Sequence, residues 1–221
     1  EEKVGAWHQH TTTDGTFESV VSVPEGDEDV VYVIVKRGSN RYVERLSDTY
    51  RGGTENISDA YFVDSGVTYS GTATTTINGL GHLEGKSVAY LADGLPGTGT
   101  VTSGALTLSK AAAKVHVGLP MTSQIKTLPM TMLGADAFGT GRTKNITRVW
   151  ARLFESAAFE AGPTASSMRS SLTPAAGSLL SDFVEVTLPS SWNDEGQIVI
   201  QQSNPLPLTI AGMTIEVASG G

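Results

Sequence analysis

From Val30 to Val35 the chain reads Val-Val-Tyr-Val-Ile-Val, a β-branched and aromatic run flanked by charge and too short to favour a helix. Such continuity predicts a strand covered on both faces, and so an inner place in its sheet. Upstream, Phe17, Ser19, Val21 and Val23 alternate with Glu18, Val20 and Ser22, and Pro24 through Asp29 supplies a turn. Downstream, Gly38-Ser39-Asn40 turns the chain into Arg41 to Leu46. With Ala6 to Thr12 as a further strand, residues 1–47 are expected to form a four-stranded antiparallel meander, either a propeller blade or one sheet of a sandwich.

A second meander is expected over residues 120–221. Val184, Val186 and Leu188 alternate with Glu185 and Thr187 before Pro189 stops the strand. Gln197 to Gln202 and Leu208 to Val217 are two more strands, and Arg148 to Phe154 a fourth, with Trp150 expected in the core. Residues 162–181 are poor in large apolar side chains and predict a long mobile loop. Between the two meanders, residues 64–119 are rich in Gly and Thr and carry turn signals at Asn78-Gly79, Asp93-Gly94 and Ser103-Gly104, which predicts an inserted small β module. Only Lys110 to Lys114 and Glu155 to Ala161 have helical composition, and both are too short to stand alone. The fold class is therefore all-β, with antiparallel meanders and an inserted module.

Composition narrows the chemistry. There are no cysteines, which excludes disulfides, thiolate metal sites and thiol nucleophiles. No apolar run reaches the roughly 18 residues of a membrane span. The chain begins without Met and enters a strand pattern almost at once, so it is expected to be a segment of a longer polypeptide. A net charge of -8 and a pI near 4.9 argue against gripping nucleic acid through phosphates. Acid concentrates between Asp14 and Asp29, and Glu25, Asp27, Glu28 and Asp29 form its densest patch; the plainest reading is a solvated turn.

The motifs that carry chemistry are weak. His8 and His10 share one side of a strand, yet no third metal ligand is evident. Gly94, Gly97 and Gly99 lack the Gly-Lys-Ser/Thr of a phosphate loop and read as turn glycines. There is no Gly-x-Ser-x-Gly, and His82 and His116 have no Ser partner in sequence. Asn56-Ile57-Ser58 and Asn145-Ile146-Thr147 fit the glycosylation pattern, which short triplets do by chance. No cofactor and no catalytic residue is nominated.

The opening Val4-Gly5-Ala6-Trp7-His8-Gln9-His10-Thr11-Thr12 and Asp14-Gly15-Thr16-Phe17-Glu18-Ser19-Val20 resemble a segment of the tail stabilisation and nozzle proteins of short-tailed bacteriophages. Tyr42-Val43-Glu44-Arg45-Leu46 is similar to a strand of the same proteins, Gly79 to Val88 to their inserted module, and Val199 to Thr209 to their end. The resemblance implies a non-enzymatic virion protein with a β-propeller-like body, set in a homo-oligomeric ring beside other tail proteins. It also implies transient passage of genomic DNA without specific binding, and no membrane partner. A whole propeller needs several four-stranded blades, so the chain would be a C-terminal portion or a shortened relative. On this reading Glu25, Asp27, Glu28 and Asp29 face the DNA channel. The alternative is a carbohydrate-binding β-sandwich for a host surface glycan, using Trp7, Trp150 or Trp192, of which Trp192 is the one expected to be exposed. A depolymerase is less favoured, since no fixed-period repeat occurs.

Overall fold

Residues 9–130 and 142–220 are described in the structure, a computed structural model. The chain is all-β and antiparallel, in four sheets among those residues. The first sheet is an arm of β1 (Thr16–Glu25), β2 (Glu28–Arg37) and β3 (Asn40–Arg45), paired in that order. Gly26-Asp27 makes the first turn, shorter than expected, since Pro24, Glu25, Glu28 and Asp29 all belong to strands. Gly26 takes φ +66°, a left-handed conformation that glycine adopts without strain.

The arm departs from expectation in two respects. It has three strands, because residues 9–12 are not in a strand and residues 1–8 lie outside the described ones. The Val30–Val35 run is indeed the central strand, yet only Val30 and Val35 are buried, and Ile34 is 37% exposed. Every residue of β1 is exposed. An apolar run guarantees a favourable pleated strand; it does not supply the layer that would cover it.

A 3-10 turn at Ile57–Asp59 then leads into a second sheet. This comprises β4 (Asp64–Asn78), β5 (Ser87–Ala92), β6 (Leu95–Thr100) and β7 (Ala105–Leu119), in the order β4-β7-β5-β6. A further 3-10 turn at Gly81–Leu83 lays Leu80 and Leu83 on the core built by Ile77, Val88, Leu106, Val115 and Val117. Lys110 to Lys114 runs within β7, where pairing to β4 overrides its local helical composition. Gly94 is a turn glycine, at φ +81°, whereas Gly97 and Gly99 lie in β6. Gly97 stands opposite Tyr90 on β5, and the Tyr90 ring occupies the space where a Cβ would go.

The remaining strands are β8 (Ser123–Lys126), β9 (Lys144–Leu153), β10 (Glu160–Thr164), β11 (Ser167–Ser170), β12 (Phe183–Thr187), β13 (Val199–Gln202) and β14 (Ile210–Ser219). They make two sheets, β12-β9-β14 and β11-β10-β13-β8, which share one core of Val149, Ala151, Leu153, Phe159, Val184, Val186, Ile198 and Ile200. Residues 162–181 are not one long loop: β10 and β11 form a hairpin within them, and Leu180 bridges back to Ser156. Nor is Glu155 to Ala161 helical, since its backbone bonds to Leu180, Pro207 and Ser171.

Candidate interaction surface

The four acids singled out in the sequence do come together, at the far end of the arm. Glu25 and Glu28 face each other across the β1-β2 hairpin, Asp27 lies in the turn, and Asp29 is paired with Pro24. All four are exposed, and none forms an ion pair with a described residue. Like charges directly opposite on two strands repel. The Tyr32 hydroxyl donates to Glu25 Oε1 at 2.5 Å, and that bond to an anion raises the phenol above its ordinary pKa. Ten residues of strand carry this tip about 33 Å from the arm's base.

Arg37 anchors the base. Its Nη2 donates to Glu44 Oε2 and Asp64 Oδ1, both at 3.1 Å, and to Thr12 Oγ1 at 2.7 Å, while its Nη1 donates to the Thr13 carbonyl. Asp64 in turn accepts from Thr12 Oγ1 at 2.9 Å and from the Thr13 amide. Glu44 belongs to the arm and Asp64 opens β4, so one guanidinium ties the arm to the second sheet. Beside it, burial and then the charges of Asp64 and Glu44 push the Tyr61 phenol up to about 12. Arg37 was legible in the sequence only as a charge at a strand end.

Both faces of the arm carry uncovered apolar groups. Residues opposite one another share a face, so Val21 (55% exposed), Ile34 and Val43 (74%) lie on one side, and Phe17 and Val20 (69%) on the other. The sheet ends at β1 and β3, whose outer edges have no strand partner among the described residues. The β3 edge is charged, whereas the valine-rich edge of β1 invites another chain.

Other nominated residues take structural places. His82 bonds the Ser65 carbonyl at 2.9 Å. Asn56 caps the first 3-10 turn through the Ser58 amide, and Asn145 is buried and accepts from the Ser191 amide at 2.8 Å. His10 is described but His8 is not, and no cluster of three or more metal-ligating side chains occurs among the described residues. Trp7 likewise lies outside them. Trp192 is 53% exposed. Trp150 is not in the core: Val149 and Ala151 point inward, which turns the indole outward, where Nε1 donates to Glu185 at 3.2 Å. Lys144, unremarked in the sequence, is 1% exposed and donates to the carbonyls of Arg142 and Asp194 at 3.0 and 2.7 Å, holding the turn after Trp192. A cleft of about 610 Å³ lies between the second sheet and the 173–178 segment. It is lined mainly by small and apolar residues, and Asp93, its one carboxylate, is engaged by the Ala113 and Lys114 amides.

His116, buried at 5% exposure, accepts from Thr68 Oγ1 at Nδ1 (2.8 Å) and donates from Nε2 to the Ser58 carbonyl (2.9 Å). The Ser58 carbonyl can only accept, so Nε2 carries a proton, and in the neutral ring Nδ1 is then the acceptor for the Thr68 hydroxyl. Burial, helped by nearby Lys114, holds its pKa below the ordinary histidine value of 6.5. The unfolded chain therefore binds this proton at a higher pH than the folded one. The contribution of His116 to stability is complete above the unfolded pKa, is lost as pH falls from there towards the depressed value, and then levels off. Thermal melts between about pH 7 and pH 5 should show falling stability that His116→Asn flattens. An unchanged slope in that variant would remove His116 from the account.

Comparison of the chain with protein-family models and with curated proteins gave no match.

Proposed function

We propose that the chain is a non-catalytic structural component of a short-tailed phage tail, belonging to the tube or nozzle through which the genome leaves, and working in a ring of copies beside other tail proteins. The segment resemblances that run from Val4 to Thr209 suggest it, and the arm is the observation that carries it. A long sheet with apolar groups on both faces has its natural place in an assembly, where neighbours cover those faces. Its tip of acids, which form no ion pair among the described residues, suits a wall past which DNA slides, because each Lys or Arg there would add a salt-dependent adhesive contact.

The acidic tip then faces the channel, and the isolated protein does not retain duplex DNA. Electrophoretic mobility with excess protein at low salt, where cationic contacts are strongest, should show no shift. A salt-sensitive shift with a midpoint of about a micromolar or tighter would instead assign a DNA-gripping role. Location of Glu25 to Asp29 on the outer surface of an assembled tail would remove the tip from passage.

A further inference from the structure

We propose that β1 is a self-pairing edge: two copies of this chain join their arms by antiparallel β1–β1 contact centred on Val21, merging two three-stranded sheets into one of six strands. The inference rests on the reading of the arm as an assembly element, though not on the phage assignment.

The register of the β1-β2 hairpin decides which backbone groups are free. Glu25 and Glu28 flank a two-residue turn and form its first hydrogen-bonded pair, so Val23 and Val21 bond to β2, while Ser22 and Val20 turn their N–H and C=O groups outward. From Ser19 to Glu25 the register is unbroken; the bulge lies below, between Phe17 and Ser19. Pro24 has no N–H and also sits at an outward position, where it costs the β1-β2 ladder nothing. The free edge is therefore short and bounded, by the bulge at one end and by proline at the other.

A two-fold axis at Val21 uses that edge fully. Val20 of one copy meets Ser22 of the other, and each such pair exchanges both backbone bonds. Val21 meets Val21 in the intervening pair, where side chains approach most closely, and Ser19 meets Val23. Val20, Val21 and Val23, exposed by 69%, 55% and 36%, thereby gain neighbours in the continued sheet. No Lys or Arg occurs in β1 to blunt the edge.

Charge selects the antiparallel arrangement. A parallel one would set the two tips, each holding Glu25, Asp27, Glu28 and Asp29, side by side. The antiparallel one brings each tip to the base of the other arm, where Lys36 stands beside Thr16, while Arg41, beside Lys36, is held by Glu18 of its own arm at 2.6 Å. Lys36 is exposed and has no carboxylate partner among the described residues. Glu25 and Lys36 also lie on the same face of the sheet.

The absence of cysteine from the chain makes the test direct. The unmodified protein should show a concentration-dependent dimer mass by light scattering, weakened by salt. Under mild oxidation Val21→Cys should crosslink copy to copy and Asp27→Cys should not. Ser22→Pro removes an outward N–H without touching the β1-β2 ladder, and should abolish the dimer with an unchanged circular dichroism spectrum. A monomer mass at every concentration up to about 1 mM would overturn the pairing. So would crosslinking through Asp27→Cys in place of Val21→Cys. A chain that pairs this way yet is absent from tail particles would defeat the phage reading and leave the strand contact standing; a chain found in particles, with Val21→Cys unlinked, would do the reverse.

Discussion

Replacing Arg37 with methionine should loosen the arm from the second sheet and destabilise the protein by about 3 kcal/mol, the scale seen when one partner of a poorly solvated ion pair is removed. The Arg37 side chain is 10% exposed, and its partners Glu44 and Asp64 are 19% and 16% exposed. Methionine keeps much of the packing and deletes the charge. Two carboxylates are then left beside one another with little water, and the Thr13 carbonyl loses its donor. Hydrogen exchange should show lost protection at the base of β2 and β3, with Asp64–Leu119 less affected, and denaturant unfolding should give the free energy. Arm protection equal to that of the unmodified chain would show that the arm holds its place without the guanidinium. Lys at this position should rescue only in part, because an ammonium cannot reproduce the fork that reaches Glu44, Asp64 and Thr12 together.

The second large effect is expected from Phe159→Ala. Phe159 is 1% exposed in the core between the two C-terminal sheets, and its backbone is fixed by Ser171, whose hydroxyl accepts from the Phe159 amide at 2.9 Å. Truncation leaves a cavity that flanking strands cannot close, costing about 3–5 kcal/mol. The core of the second sheet is a separate cluster and should keep its own stability. Trp150 and Trp192 stand in the C-terminal part, so tryptophan emission during urea unfolding should shift to lower denaturant, while exchange within β5 and β7 changes less. A single transition shared by both regions would mean that the two cores unfold as one.

Much of the backbone was legible from local pattern. Alternation placed Val184, Val186 and Leu188 inward and Glu185 and Thr187 outward, and that is where they lie, because the pleat sends successive side chains to opposite faces. Gly26, Gly79, Gly94 and Gly104 mark turns where φ is positive, which glycine reveals in any sequence. The acids from Glu25 to Asp29 share one hairpin end because they are neighbours in the chain.

Period and turn chemistry, in short, set the all-β character, the hairpins and the direction in which each side chain leaves its strand. Coverage belongs to the tertiary structure. Val30 to Val35 reads as a strand buried along its length, yet only Val30 and Val35 are buried while Ile34 and all of β1 are exposed, since apolarity states a preference and another element has to meet it. Trp150 reads as core by residue type, but its neighbours Val149 and Ala151 take the inward positions and leave it the outer face. Neither Arg37 nor Lys144 stands out in the sequence; acceptors distant along the chain, Asp64 for one and the Asp194 carbonyl for the other, give them their places. Contacts across such separations depend on how sheets are arranged in space, and no local pattern encodes that.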